Sequence, residues 1–185
     1  LPRTAGPAFA QGPIRIQSTA VEGRFPEGIS FQIEASSDVS ISTIAVNFRV
    51  GDSRSGRFGY PEFAKATTVK AEFFLRTDTS DRYIPPGARI RYSYRVENEA
   101  GQVLETEPQT FVYHDQRFQW QEVTKEVVTV RYYGPVRTRA QTVLEATVLT
   151  IERMGAVMGV PLVDPIVVTM YNNYRDMTDA LPFRS

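Results

Sequence analysis

Tyr83-Ile84-Pro85-Pro86-Gly87-Ala88-Arg89-Ile90-Arg91-Tyr92-Ser93-Tyr94-Arg95-Val96 is the stretch that decides the fold. Pro-Pro-Gly makes a rigid turn, because proline fixes φ and glycine tolerates the backbone a tight turn demands. Beyond it Ile90, Tyr92, Tyr94 and Val96 share one face, while Arg89, Arg91, Ser93 and Arg95 take the other. That two-residue period is the signature of a half-buried strand. Asn98-Glu99-Ala100-Gly101 then turns the chain, and Thr110-Phe111-Val112-Tyr113 forms a further strand.

The same alternation continues toward the N-terminus. Ile14, Ile16 and Val21 start it, and Pro26-Glu27-Gly28 turns into Ile29, Phe31, Ile33 and Ala35, interleaved with Ser30, Gln32 and Glu34. After the turn residues Ser36-Ser37-Asp38, Ile44, Val46, Phe48 and Val50 alternate with Ala45, Asn47 and Arg49. The polar, glycine-rich run Asp52 to Gly59 reads as a loop, and Val69 to Arg76 as another strand. About seven short strands in roughly 100 residues predict an immunoglobulin- or fibronectin-like β-sandwich over residues 13–115. Tyr92 is the candidate for a tyrosine corner, with Tyr94 equally placed.

The pattern changes near His114-Asp115-Gln116-Arg117-Phe118, so residues 116–126 read as a linker, with Trp120 anchoring it between domains. Val127 to Tyr133 is a strand broken by Gly134-Pro135. Ala140, Val143, Leu144, Thr147, Val148, Ile151, Met154 and Met158 follow at helical spacing, and Gly159 supplies a stop. Pro165 to Tyr171 is mostly apolar, as expected of a strand buried on both faces. Asn173 caps a short helix through Leu181. Residues 127–185 are therefore expected to be a partial α/β domain of strand-helix-strand-helix order behind a mainly β first domain.

With 185 residues, 42% hydrophobic and 23% charged residues, the composition is that of a globular protein with a real core. The formal net charge of zero leaves no nucleic-acid footprint, and no apolar run is long enough for a transmembrane helix. The absence of cysteine excludes disulfides, thiolate nucleophiles and cysteine-based zinc sites. Ala8-Phe9-Ala10 before Gln11 has the small-x-small form of a signal-peptidase site. Residues 1–12 are accordingly expected to be a leader or signal-peptide remnant, and the protein to be secreted or held in the cell envelope. The closing residues Leu181 to Ser185 complete no element, so a truncated chain is expected.

Few residues compete for a chemical role. His114 is the sole histidine and has no second nitrogen or sulfur ligand to share a metal with, and no G-x-S-x-G elbow accompanies it. It reads as a surface or linker residue. Arg89, Arg91 and Arg95, joined by Arg49 from a neighbouring strand, form either an anion or partner surface, or a row whose stems cover apolar surface and whose heads pair with glutamates. Glu97, Glu99, Glu105 and Glu107 flank a turn and face solvent. Asp78, Ser80 and Asp81 form either a weak calcium site or a solvated turn. Tyr132-Tyr133 and Tyr171 to Tyr174 make an aromatic platform or pack at strand edges. No catalytic, cofactor-binding or metal-ligating residue is assigned.

The order of these segments resembles the N-terminal region of bacterial peptidase MA-like proteins, which are gluzincin-type metallopeptidases. The likeness is carried by Phe25-Pro26-Glu27-Gly28-Ile29-Ser30-Phe31, by Ile84-Pro85-Pro86-Gly87 through Val96 to Gly101, and by Thr110 through Trp120. The strand at Val128 to Tyr132, the helix ending at Met158-Gly159-Val160 and Pro165 to Tyr171 follow the same course. The resemblance implies a zinc-binding H-E-x-x-H helix that acts on a peptide or protein substrate. That motif is not in this sequence, so zinc belongs to the full-length parent and no cofactor to this chain. The expectation is a non-catalytic N-terminal portion of an exported zinc metallopeptidase-like protein, its sandwich acting as an accessory domain. The alternative is an adhesion or binding module of the cell envelope without enzymatic activity.

Overall fold

A computed structural model describes residues 14–53, 55–159 and 164–182. The segment read as a leader, residues 1–12, lies outside them. The described chain forms two compact units, one of residues 14–76 and 89–112, the other of residues 77–88 and 113–182.

The first unit contains β1 (Arg15–Arg24), β2 (Gly28–Ser36), β3 (Ile41–Val50), β4 (Arg57–Gly59), β5 (Thr68–Arg76), β6 (Arg89–Asn98), β7 (Val103–Glu105) and β8 (Gln109–Val112). One antiparallel sheet has the order β1-β2-β5. The other has the order β4-β3-β6-β7, with β8 also paired to β6. Together they form the expected β-sandwich. Ile29, Phe31, Ile33 and Ala35 of one sheet, and Ile44, Val46, Phe48, Ile90, Tyr94 and Val96 of the other, are all buried. Phe31 stacks on Phe48 at 5.9 Å and meets the edge of Tyr92 at 5.5 Å, so the inner faces interdigitate through their aromatic rings. Burying one such side chain contributes about 1.5–3 kcal/mol.

The β6–β7 hairpin turns as its sequence predicts. Asn98 is buried, and its Oδ1 accepts from the backbone N–H groups of Ala100 and Gln102, while Gly101 takes φ +77°. The final strand is split into β7 and β8 around Pro108, which has no N–H to give a ladder. In the gap Thr106 donates its N–H to the Tyr94 carbonyl and accepts the Tyr94 N–H at its hydroxyl. Tyr92 donates to the Gln109 side chain and Tyr94 to the Gln32 carbonyl, so neither makes the local upstream bond of a tyrosine corner. Part of the expected loop 52–59 is strand β4, which is too short for any periodicity to reveal. A Cβ at Gly59 would run into the Phe73 ring, so glycine lets β4 close onto this side of the core without displacing that ring.

The second unit holds β9 (Trp120–Lys125), β10 (Val128–Tyr133), α1 (Arg137–Met158), β11 (Ile166–Thr169) and α2 (Tyr174–Thr178). Its sheet runs β11-β10-β9, with β10 parallel to β11 and antiparallel to β9. The predicted strand-helix-strand-helix order is present. Residues 120–125, expected as linker, are strand β9 instead. Val123 is the sole buried residue of that strand, so its sequence shows no apolar alternation.

Ala140, Leu144 and Val148 of α1 pack with Val123, Val128, Val130 and Tyr132, flanked by Val143 and Ile151. The expected helical stripe runs on through Met154 and Met158, yet these are 55% and 68% exposed, so its burial ends near Ile151. β11 departs from expectation as well: Val168 joins the core, but Val167, on the opposite face beside Thr129, is 43% exposed. Gly159 ends α1 in the left-handed region at φ +67°, and the Asn173 side chain caps α2 by accepting the Asp176 N–H at 2.8 Å.

Candidate functional site

In β3 and β6 alternation sends Val46, Phe48, Tyr92 and Tyr94 into the sandwich, which leaves Asn47, Arg49, Arg91, Ser93 and Arg95 on the outer face. Register then sets these residues in rows across the sheet. Phe58, Asn47 and Ser93 form one row, Arg49 stands opposite Arg91 with Thr110 beyond, and Ala45 stands opposite Arg95 with Glu105 beyond.

The last row is electrically closed. Arg95 lies 3.6 Å from Glu97 and 3.7 Å from Glu105. The Arg49–Arg91 row is open, since among the described residues no carboxylate makes an ion pair with either guanidinium, or with Arg57 of β4. Like charges directly opposite one another on a sheet are unfavourable by a few tenths to about 1 kcal/mol. A groove of about 330 Å³ lies over these rows, lined by Asn47, Arg49, Arg57, Phe58, Arg91 and Ser93 among others. Phe58 is 64% exposed at its rim, and the Asn47 Oδ1 is buried without a hydrogen-bond partner. The groove thus offers the guanidiniums of Arg49 and Arg91 and one aromatic face, while Arg57, opposite the inward Phe48, contributes to the lining from the other side of β4.

The opposite outer face, formed by β1, β2 and β5, has a different balance. Glu34 pairs with Lys70 at 3.1 Å, and Glu22 and Glu72 both face Arg24 at 3.5 Å. Arg24 and Lys70 there each have an acid beside them.

In the second unit a dense polar node surrounds Asp115, whose side chain is fully buried. Its carboxylate accepts from the Arg117 backbone N–H, from Arg117 Nε at 2.9 Å and Nη2 at 2.7 Å, and from the Tyr171 hydroxyl at 2.9 Å. Burial and this bond to Asp115 push the Tyr171 phenol far up, and the bond to Asp115 holds Arg117 firmly cationic. Around it Phe118 stacks on Tyr133 at 4.0 Å, and Trp120 meets Tyr133 and Tyr171 edge-on, each at 5.3 Å. Trp120 Nε1 donates to the Asp115 carbonyl. Every polar atom named here has its partner, which makes the node a staple for the second unit.

The other sequence candidates are dispersed. His114 is exposed at the rim of a space between Pro86, Trp120, Arg131 and Thr169 that is too tight for a water molecule. Partial burial and nearby Arg131 lower its pKa. Arg131 itself is nearly buried and donates Nε to Glu122 at 2.7 Å. Asp81 faces Arg82 at 3.4 Å, and Glu99 pairs with Lys65 at 3.3 Å. Among the described residues no three His, Cys, Asp or Glu side chains are grouped to hold a metal ion, so Asp78, Ser80 and Asp81 form no such cluster. Tyr132 is buried and Tyr174 exposed, while Tyr133 and Tyr171 meet in the ring cluster. The tyrosines do not form one platform.

Sequence reasoning picked out the arginine face but missed Phe58 and Asn47, which the β3–β4 register brings beside it. It also missed Asp115 and Arg117, where D-x-R two residues apart was the available signal.

No protein-family model and no curated protein matches the chain. Among solved structures, one described as the crystal structure of a Br derivative of BhCBM56 is similar to it over 51% of this chain and 88% of its own, at 12% identity and a TM-score of 0.38.

Proposed function

We propose that this chain is a non-catalytic binding module, and that the outer face of the five-stranded sheet is where it binds. The observation that carries this reading is the Arg49–Arg91 pair, two like charges held opposite one another with no acid beside them. Like charges directly opposite one another cost stability, and an external anion relieves that cost. We place the module in the secreted or cell-envelope space, in keeping with the Ala8-Phe9-Ala10 pattern; among the described residues no helix is long and apolar enough to cross a membrane. The test is to probe glycan and peptide arrays with the whole chain. Saturable, salt-sensitive binding to at least one class is expected, and none at any salt concentration would sink the reading.

A second reading keeps the module as the accessory portion of a zinc peptidase-like protein. It is favoured by the apolar residues that α1 leaves uncovered, Met154, Val157 and Met158, because a further part of a catalytic domain would bury them. Zinc analysis of the product of the whole gene beside this chain separates the two. About one zinc per longer protein supports the peptidase parent, and zinc in neither leaves the binding module alone.

A further inference from the structure

We infer that the groove across β4, β3 and β6 binds an acidic polysaccharide, with uronate carboxylates held by Arg49 and Arg91 and a sugar ring set against Phe58. This rests on the reading of the chain as a binding module and names its ligand class.

The first ground is charge. Among the described residues, Arg49 and Arg91 face each other across one register pair with no carboxylate in ion-pair contact. Guanidiniums recognise planar oxyanions through paired N–H donors, and uronate carboxylates have that shape. The second ground is the extent of the groove across the sheet. Its lining residues come from three neighbouring strands, so a ligand lying in it covers the outer side chains of β3 and β6 as well as those of the edge strand β4. A peptide lying over the outer side chains of β3 and β6 leaves its own amide groups without the ladder partners that make strand addition favourable. A glycan has no backbone amides to satisfy.

The third ground is the rest of the lining. Asn47 and Ser93 stand opposite one another in the lining, and sugar hydroxyls supply donors and acceptors together for such polar side chains. Phe58 is an exposed ring of the kind that covers the C–H face of a sugar, and it lies in the Asn47 row next to the arginines. Arg95, one row further along β6, already has Glu97 and Glu105 and marks where the site ends.

The experiment is calorimetric titration of the full 185-residue chain with a galacturonate oligomer, with its neutral methyl ester, and with a glutamate-rich peptide of equal charge. The expected result is binding of the free acid that weakens with salt, with at least tenfold weaker binding of the ester and the peptide. R49A/R91A should lower uronate affinity at least tenfold, R49K/R91K by less, and R95A hardly at all. These side chains are on the outer face, so unchanged thermal unfolding of each variant shows that the fold is kept. Tighter binding of the peptide, equal binding of the ester, or equal loss in R95A overturns the inference. Array binding to some other ligand that needs Arg49 and Arg91 overturns it while leaving the binding-module reading standing. Absence of binding to anything removes both.

Discussion

Arg117 and the Arg49–Arg91 pair show two opposite uses of the same side chain. Arg117 spends its fork on one buried carboxylate, with three contacts to Asp115 at 3.2 Å or less and a further acid, Asp179, at 3.5 Å. Its charge is consumed inside the protein, and the reward is order, because Asp115 also gathers Tyr171 and, through its carbonyl, Trp120. Arg49 and Arg91 have no acid, and their mutual repulsion is a small standing cost. A saturated arginine is explained by the fold; an unsaturated pair asks for something outside it.

The contrast is sharpest in how each place should respond to mutation. Asp115→Ala removes the acceptor on which the node depends; Arg117 keeps contact with solvent, so the loss is that of the hydrogen bonds Asp115 accepts, about 1–3 kcal/mol. Chemical denaturation followed by fluorescence of the single tryptophan, Trp120, should show that loss in the second unit, with galacturonate binding unchanged in the folded protein. A mild effect would mean that Asp115 is no keystone. Tyr171→Phe should cost about 1 kcal/mol by the same readout, the usual worth of one hydrogen bond.

Titrating the phenols probes the node without mutation. Burial pushes Tyr113 up to about 12 and Tyr171 higher still. The unfolded chain gives up these protons near pH 10. The stability they contribute is therefore complete below about pH 10 and is lost as pH rises through the folded values. Unfolding curves between pH 9 and 12 should show that decline, and Tyr171→Phe should shallow it.

Arg49→Glu should act in the other direction. It replaces a like-charge pair with an attractive one, so the sandwich should gain about 0.5 kcal/mol while uronate binding disappears. A loss of stability there would show that the Arg49 stem, not its charge, matters. The smallest expected effect is at His114. Its folded pKa is lowered, so the unfolded chain takes up a proton first as pH falls below about 6.5. Its contribution to stability should be flat above that pH and dip slightly below it, and His114→Gln should remove the dip.

Much of the sandwich was legible because Ile29 to Ala35, Ile44 to Val50 and Ile90 to Val96 each obey one strict period, and turn residues punctuate them. α1 was legible as far as Ile151 for the same reason. β4 and β9 were not, since three residues carry no period and Trp120 to Lys125 buries Val123 alone. The arginine face was legible as a row on one strand. Its lack of acids was not, because neutralisation depends on which strand lies alongside: the hairpin brings Glu105 to Arg95, while the β3–β6 register brings Arg49 to Arg91. Asp115 sat unnoticed in an apparent linker because its value comes from Tyr171, 56 residues away.

The Tyr94 hydroxyl crosses the sandwich to the Gln32 carbonyl at 2.9 Å, so a single phenol fastens the middle of one sheet to the middle of the other. Pulling the sheets apart strands that hydroxyl in an apolar gap before water can reach it, a loss no peripheral contact offsets. The sandwich should therefore not breathe by gaping at its centre. Its slow opening should begin at the margins, at β4 and β7, and the backbone amides of β2 and β6 should trade hydrogen for deuterium together or not at all.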